Sequence, residues 1–433
     1  MVLSVSVRKQ KLDELRQSQP EARQKLFYKG RAETFNVHRI NLEWLIYNEH
    51  NGRIEAEMLT WKQEHQTSTS YTDDKHEHIG SLLWNLSVAR NKSTLKDLKL
   101  KSQQRPGIVS LDGVIIDGNR RAMLLRRIQE ESNQPQYLDA IILPDAYADN
   151  EAEIVRLETQ YQIGEDSKVE YGPIQKYLHA RRLKMDLGIE ESEIDTLMGR
   201  EPGYAARLLG IMELMDGYLE HIGSPRLYTM LKDDDGTKEG MFVDLFSDIK
   251  RLEGRNPKVE WQFDNVVDVI RLKTIQFDYI RLGEFADSKK SYRALSHQSQ
   301  NKNFFGHEDI WSAFANEHSR TVDPINTTMD SLEEYVAKNP HHQTKSDAAR
   351  ARDEDWRTTV SDLMKKNFGL SGDKLYYRMA ELKPKELLVK AKLALDGIDI
   401  DDGSLIADPS NEALVRDLNH ITYEMKKRFE RAH

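Results

Sequence analysis

The run Asp117-Gly118-Asn119-Arg120-Arg121 has the residue types of an anion site. Glycine lets the backbone approach a ligand closely, the first N–H groups of a following helix favour negative charge, and guanidinium forks match phosphate oxygens in pairs. The same five residues also suit a glycine turn opening a solvated surface helix. Glu158 is the carboxylate best suited to hold Mg²⁺ or orient a water, since magnesium takes hard oxygen ligands shared with phosphates. Asp117 suits either a metal ligand or an Asx turn. Neither a Walker-type phosphate loop nor a G-x-G-x-x-G fingerprint occurs in the chain.

Two short β-branched runs, Ile108-Val109 and Val114-Ile115-Ile116, are separated by Leu111-Asp112-Gly113 and must carry the corner at a strand end. A helix follows over 121–131. Strand patterns over 35–45 and 137–143 and a helical pattern over 79–88 complete a mixed-sheet domain spanning 36–150. Residues 1–35 read as a basic arm, a flexible tether without a strong apolar stripe. Downstream, Asp149 or Asn150 suits a helix cap, and Pro173 suits a first helical turn. The stretches 190–199 and 201–209 have the spacing of a helix-turn-helix within a helical domain over 151–222. Arg200, Tyr204 and Arg207 are its candidate DNA contacts. Helical regions follow over 223–338 and 354–433. The fold class expected is α+β, a mixed-sheet N-terminal domain followed by a mainly α-helical central and C-terminal region.

The stretch Gln103-Gln104-Arg105-Pro106 through Asp117-Gly118-Asn119-Arg120-Arg121-Ala122 resembles the central box of the ParB/sulfiredoxin superfamily. Leu45 to Arg53 is similar to that family's first box, and Glu158-Thr159-Gln160-Tyr161-Gln162 stands in the place of its third, ahead of the helix-turn-helix. The resemblance covers roughly 36–222. It implies a nucleoside triphosphate (ATP or CTP) with Mg²⁺, cradled by Arg53, Gln104, Gly118, Asn119, Arg120 and Arg121. Glu158 would manage metal or water, and Glu49 would be a candidate base. It further implies a switch that couples slow hydrolysis to DNA association, a homodimer, and a setting such as a plasmid, phage or anti-phage defence system. Asn119 replaces the family's usual glutamate, while Thr159 and Gln162 replace asparagine and arginine, so CTP specificity and a sliding-clamp cycle do not carry over. Sulfiredoxin chemistry needs a cysteine, and the chain has none.

The absence of cysteine excludes disulfides and thiolate sites. No apolar run approaches the roughly 20 residues that span a bilayer, and the first residues lack a signal-peptide core, so a cytoplasmic protein without membrane contact is expected. The net charge of −9 argues against a nucleic-acid binder. Local basicity, in the arm and in the run Arg90, Lys92, Lys96, Lys99, Lys101, Arg105, argues for salt-sensitive phosphate contacts. His76-Glu77-His78 and His341-His342 read as loop histidines without a third metal ligand. Asp396 to Gly403 lacks the oxygen positions of a calcium loop. Trp311, Phe314, Trp356 and Tyr376-Tyr377 read as core or interface packing, and the C-terminal helices as a site for dimerisation or a protein partner. A metal-dependent nuclease or phosphotransferase built on Glu49 and Glu158 is the alternative function, and an inert adaptor is the third.

Overall fold

Alternation along the strands sets the first part of the fold. In the computed structural model, which describes residues 2–65, 71–161, 172–233, 236–254, 259, 261–283, 292–297, 302–379 and 384–432, the chain begins with α1 (Val5–Arg16). There follow β1 (Ala22–Tyr28), β2 (Arg31–Asn41), β3 (Ile46–Tyr47), α2 (Glu55–His65), α3 (Asp73–Asn85) and α4 (Val88–Lys101). Next come β4 (Gly107–Val109), β5 (Val114–Asp117), α5 (Asn119–Ser132) and β6 (Tyr137–Ile142). The six strands form one mixed sheet in the order β1-β2-β6-β4-β5-β3. β4 runs parallel to β6 and β5 parallel to β3, while the other neighbours are antiparallel.

Leu138, Ala140 and Ile142 of β6 pack on one face with Leu12 of α1, Ile79 of α3 and Leu124 of α5. Ile141 and Leu143 turn to the other face, where Leu26, Val37, Ile154 and Leu157 join them. A period-two strand buried on both sides explains this division.

Residues 1–35 are not a tether. Leu12 is fully buried, the Arg8 Nε donates to the Asp112 carbonyl at 2.8 Å, and β1 pairs along its length with β2. In β1 the cations Arg23 and Lys25 stay exposed while Leu26 and Tyr28 enter the core, so a weak overall apolar stripe concealed an integral strand.

The helical part comprises α6 (Glu151–Thr159), α7 (Pro173–Arg181) continuing through a π-turn at Arg182–Asp186, α8 (Glu191–Leu197) and α9 (Tyr204–His221). A short hairpin, β7 (Lys232–Asp233) and β8 (Gly236–Thr237), leads to α10 (Glu239–Leu252), α11 (Val267–Leu282) and α12 (Arg293–Ser296). Then follow α13 (Glu308–Thr321), α14 (Asp323–Thr328), α15 (Leu332–Lys338) and α16 (Lys345–Met379). This is an α+β chain, mixed sheet first and mainly helices afterwards. It divides into two units, Met1–Gly369 and Leu370–His433. The second holds the end of α16 with α17 (Pro384–Asp396), α18 (Gly403–Ala407) and α19 (Pro409–Ala432). No helix among the described residues is long and apolar enough to cross a membrane.

Trp311, Phe314 and Trp356 are core residues, as their pattern suggests, whereas Tyr376 and Tyr377 are exposed. His76 and His78 are helical rather than loop residues, stacked on Tyr47 and Trp61 with ring centroids 4.5 and 5.5 Å apart.

One carboxylate stitches the helical region. Asp278 of α11 is fully buried, with His221 of α9 and His318 of α13 turning Nε2 to its oxygens at 2.8 and 2.9 Å. Asn326 of α14 donates to both oxygens at 3.2 Å and accepts from the Trp356 indole of α16 at 2.7 Å. Asp278, His318 and Asp323 offer ligand atoms within 4.8 Å of one another. Both Asp278 oxygens are already engaged by protein donors, while the His318 Nδ1 is buried without a hydrogen-bond partner. Burial alone would raise the Asp278 pKa, but the hydrogen bonds from His221 and His318 outweigh it and hold the group at about 2. The folded pKa lies below the unfolded value, so the carboxylate's contribution is present at neutral pH and lost only as pH falls from about 4 towards 2. Asp278→Ala strands the histidine and asparagine donors. We expect a loss of about 3–5 kcal/mol at neutral pH, measured as a lowered urea midpoint of the helical circular dichroism signal.

Candidate phosphate-binding site

Gly107 and Gly118 let β4, β5 and α5 meet tightly. A Cβ on Gly107 would lie 2.7 Å from the Asp117 carbonyl oxygen, and Gly118 has φ +108° at the start of α5. The chain therefore leaves the strand and enters the helix within one residue, a backbone conformation strained for any side chain. Two consecutive helical residues then point in different directions. Arg121 turns to the sheet end, donating to the Arg105 carbonyl and standing 3.4 Å from Asp117. Arg120 turns towards α4, where its Nε donates to the Asn91 Oδ1 at 2.5 Å and its Nη2 to the Thr94 hydroxyl at 3.3 Å.

Asn119 is a bracket. It is buried, donates from Nδ2 to the Ile115 carbonyl at 2.8 Å and accepts the Asn48 backbone N–H at 2.9 Å. Asn48 in turn donates from Nδ2 to the Glu158 carboxylate at 3.1 Å. The three sequence segments, around 48, 119 and 158, are thus joined by consecutive hydrogen bonds among buried side chains. Glu158 is 1 % exposed and serves this join. Thr159 is also buried, its hydroxyl 2.8 Å from the His179 Nε2, while Gln162 lies outside the described residues.

Arg120 reaches a 540 Å³ pocket whose walls also carry Arg53, Arg90, Lys232, Asn91 and Gln175. Leu83, Leu86 and Ile174 give it an apolar side, and Gly172-Pro173 at the amino end of α7 contribute another edge. Among the described residues the lining contains no aspartate or glutamate. Burial first, and then the charges of Arg90 and Arg53, lower the Arg120 pKa. Asn91 is buried and fixed by donation to the Leu83 and Trp84 carbonyls at 3.0 and 2.7 Å, so it positions the Arg120 fork rigidly. Lys232 also pairs with Glu57.

Of the residues read from sequence, Arg53 and Arg120 come together here. Gly118 and Asn119 shape the corner behind them. Arg121 and Gln104 lie elsewhere, Gln104 being exposed and donating to the Lys101 carbonyl at 2.6 Å. Glu49 is held between Lys75 and Lys62 at 3.0 and 3.2 Å. Burial pushes its pKa up, but Lys62, His50 and Lys75 prevail and lower it, making it a weak base.

Sequence reasoning left Asn91, Lys232 and Gln175 unassigned and read Arg90 only as part of a basic run. A buried asparagine inside a basic helix was the available signal for Asn91, because polar side chains in mid-helix need a partner.

Beside the pocket, α2 packs on α7 through polar groups. Glu55 is buried with Oε2 lacking a hydrogen bond, and the same holds for Arg182 Nη1 and Gln175 Oε1. Arg182 donates to Tyr147 at 3.0 Å and to Glu151 at 2.6 Å. Burial opposes its charge, yet Tyr147, Glu55 and Glu158 raise its pKa above the ordinary value. Burial lifts Glu55 to about 7 against the opposing pull of Arg182 and Arg181.

The α8–α9 pair is well formed. Asp195 accepts the Gly203 and Ala205 N–H groups at 2.8 and 2.6 Å, and Arg200 lies over the Tyr204 ring at 5.5 Å. Arg207 is exposed, but the outward face of α9 continues with Glu213 and Glu220. Those carboxylates oppose a phosphate backbone. A larger groove of 980 Å³ runs between α9, α10 and α11, with an apolar floor including Phe246 and Phe277 and charges of both signs at its rim. It offers no comparable concentration of one charge.

No protein-family model matches the chain, and no curated protein matches it either.

Because Glu55 keeps its proton in the fold and loses it near pH 4.5 when unfolded, its stabilising effect is full below about pH 4.5 and is lost as pH rises through about 7. Glu55→Gln removes that loss. In a thermal-shift series from pH 5 to 8 the variant should fall less than wild type and melt roughly 2–4 °C higher at pH 8. Parallel curves would contradict the assignment.

Proposed function

We propose that this protein binds a nucleoside triphosphate in the Arg53–Arg90–Arg120 pocket and uses the bound ligand as a conformational switch. The observation that carries this reading is the convergence of three guanidinium groups on a pocket with an apolar side. Guanidinium forks suit phosphate oxygens, and the α7 amino end adds a favourable dipole. Leu83, Leu86 and Ile174 suit the flat, poorly solvated face of a base. The ParB-like order of the three boxes, joined here through Asn119, Asn48 and Glu158, supports the same reading.

A switch is favoured over rapid turnover by the side chains present. Glu49 is neutralised by two lysines, and Glu158 is buried in the bracket. Mg²⁺ would arrive with the phosphates, which is the usual way this ion is held. The pocket wall includes the start of α7, whose far end packs against α2 through Arg182 and Glu55. A ligand pulling on Arg120 and the α7 amino end would therefore shift the sheet domain against the helices that follow. DNA association through α9 is not part of the proposal.

The arginine pair gives the test. A charge-assisted hydrogen bond contributes about 1.5–3 kcal/mol, so Arg120→Ala should weaken ATP or CTP binding roughly 10- to 100-fold by isothermal calorimetry. Arg121→Ala should change it less than about threefold, because that side chain is engaged at the sheet end. Equal losses, or a loss confined to Arg121→Ala, would contradict the assignment of the pocket.

A further inference from the structure

Three buried atoms along the contact of α2 with α7 have no hydrogen-bond partner: Glu55 Oε2, Arg182 Nη1 and Gln175 Oε1. Gln175 and Arg182 stand seven positions apart, which sets them two turns apart on one face of α7. An amide oxygen only accepts and a guanidinium nitrogen only donates, whereas a carboxyl group does either according to its proton. Neutral Glu55 offers an O–H to the Gln175 Oε1. Ionised Glu55 offers an oxygen to the Arg182 Nη1. The three atoms thus have two alternative pairings, and one proton selects between them.

This contact ends at the phosphate pocket. Gln175 lines the pocket with its Nε2 3.5 Å from the Arg53 carbonyl, and Arg53 stands two residues before Glu55. A side chain at 172 would collide with the Gln175 Oε1, so the carboxamide lies directly against the pocket's Gly172 edge. The charges acting on Glu55 are Arg182 and Arg181 of α7, Asp186 in its π-turn and Lys62 of α2 itself. Arg182 already donates to Tyr147 and Glu151, and Arg181 to Asp216 and Tyr228. Lys232 is paired with Glu57, and His50, in the loop ahead of α2, is neutral because burial lowers its pKa to about 3. Burial therefore prevails over the cations and lifts Glu55 to about 7.

We propose that ligand binding in the Arg53–Arg90–Arg120 pocket is linked to uptake of a proton from solvent by Glu55, which leaves the Arg182 pairing for the Gln175 pairing. The linkage rests on the nucleotide reading of that pocket. A bound polyanion opposes a carboxylate behind Arg53 across buried structure that salt screens poorly, and so favours the neutral form. Binding then tightens as pH falls towards the value at which Glu55 is already protonated in the free protein.

Calorimetric titration of the full chain with ATP and with CTP, each with Mg²⁺, in buffers of small and large ionisation enthalpy counts the protons. Near pH 7.5 wild type should take up a measurable fraction of one proton per ligand, and it should bind roughly 3- to 10-fold more tightly at about pH 6.5 than at about pH 8, one proton allowing at most about tenfold per pH unit. Near pH 5.5, where Glu55 is already neutral, the uptake should vanish. Glu55→Gln keeps the neutral shape and carries any titration of the ligand itself, so the difference between wild type and variant isolates Glu55. Binding without a buffer difference, or equal uptake by wild type and Glu55→Gln, would overturn the linkage and leave the pocket assignment standing. Wild-type uptake that stays flat from about pH 5.5 to 8 would overturn it without need of the variant. Absence of binding by both nucleotides would overturn the pocket reading and the linkage with it.

Discussion

Mutual repulsion among Arg53, Arg90 and Arg120 is the constraint on which the site depends. Like charges gathered in a partly desolvated pocket cost free energy, and burial first, with the charges of Arg90 and Arg53 adding to it, lowers the Arg120 pKa. Such a cost persists in a fold when surrounding structure holds the groups in place and a bound polyanion relieves it. Asn91 supplies the hold at one end, accepting from the Arg120 Nε while fixed to two α3 carbonyls.

The hold at the other end is the Asn119 bracket. Hydrogen bonds donated by Asn48 to Asn119 and to Glu158 bind the α5 start, the loop after β3, and α6 into one buried unit. Buried polar networks of this kind tie position to satisfaction, because an unmade bond leaves a desolvated group. Arg53, five residues after Asn48, and Arg120, next to Asn119, are thereby delivered to the same pocket. The polar α2–α7 contact, with Glu55, Arg182 and Gln175 each holding an atom without a hydrogen bond, contrasts with this completeness.

The strand–turn–helix around Gly118 was legible in the sequence because glycine, β-branched runs and a helical pattern agree there. So was the α+β division. The fate of residues 1–35 was not: their cations masked an edge strand whose alternate residues enter the core, and periodicity over seven residues is a weak signal. The arginine pair was read as one phosphate clamp, yet consecutive helical positions lie about 100° apart, and Arg120 and Arg121 serve different surfaces. Asn91, Lys232 and Gln175 reach the pocket from α4, β7 and α7. Convergence of that kind depends on tertiary packing and leaves no local spacing to read.

The asparagine at position 119 acquires a physical meaning from this geometry. As a neutral amide it both donates and accepts, which the bracket requires and an ionised carboxylate cannot do. It also adds no negative charge beside Arg120. The most direct measurement of the central claim is calorimetric titration of the wild-type chain with ATP, CTP, GTP and inorganic tripolyphosphate, each with Mg²⁺. Saturable binding of at least one nucleotide, with tripolyphosphate competing for the same site, is the result predicted. Absence of binding by all four ligands would contradict the account.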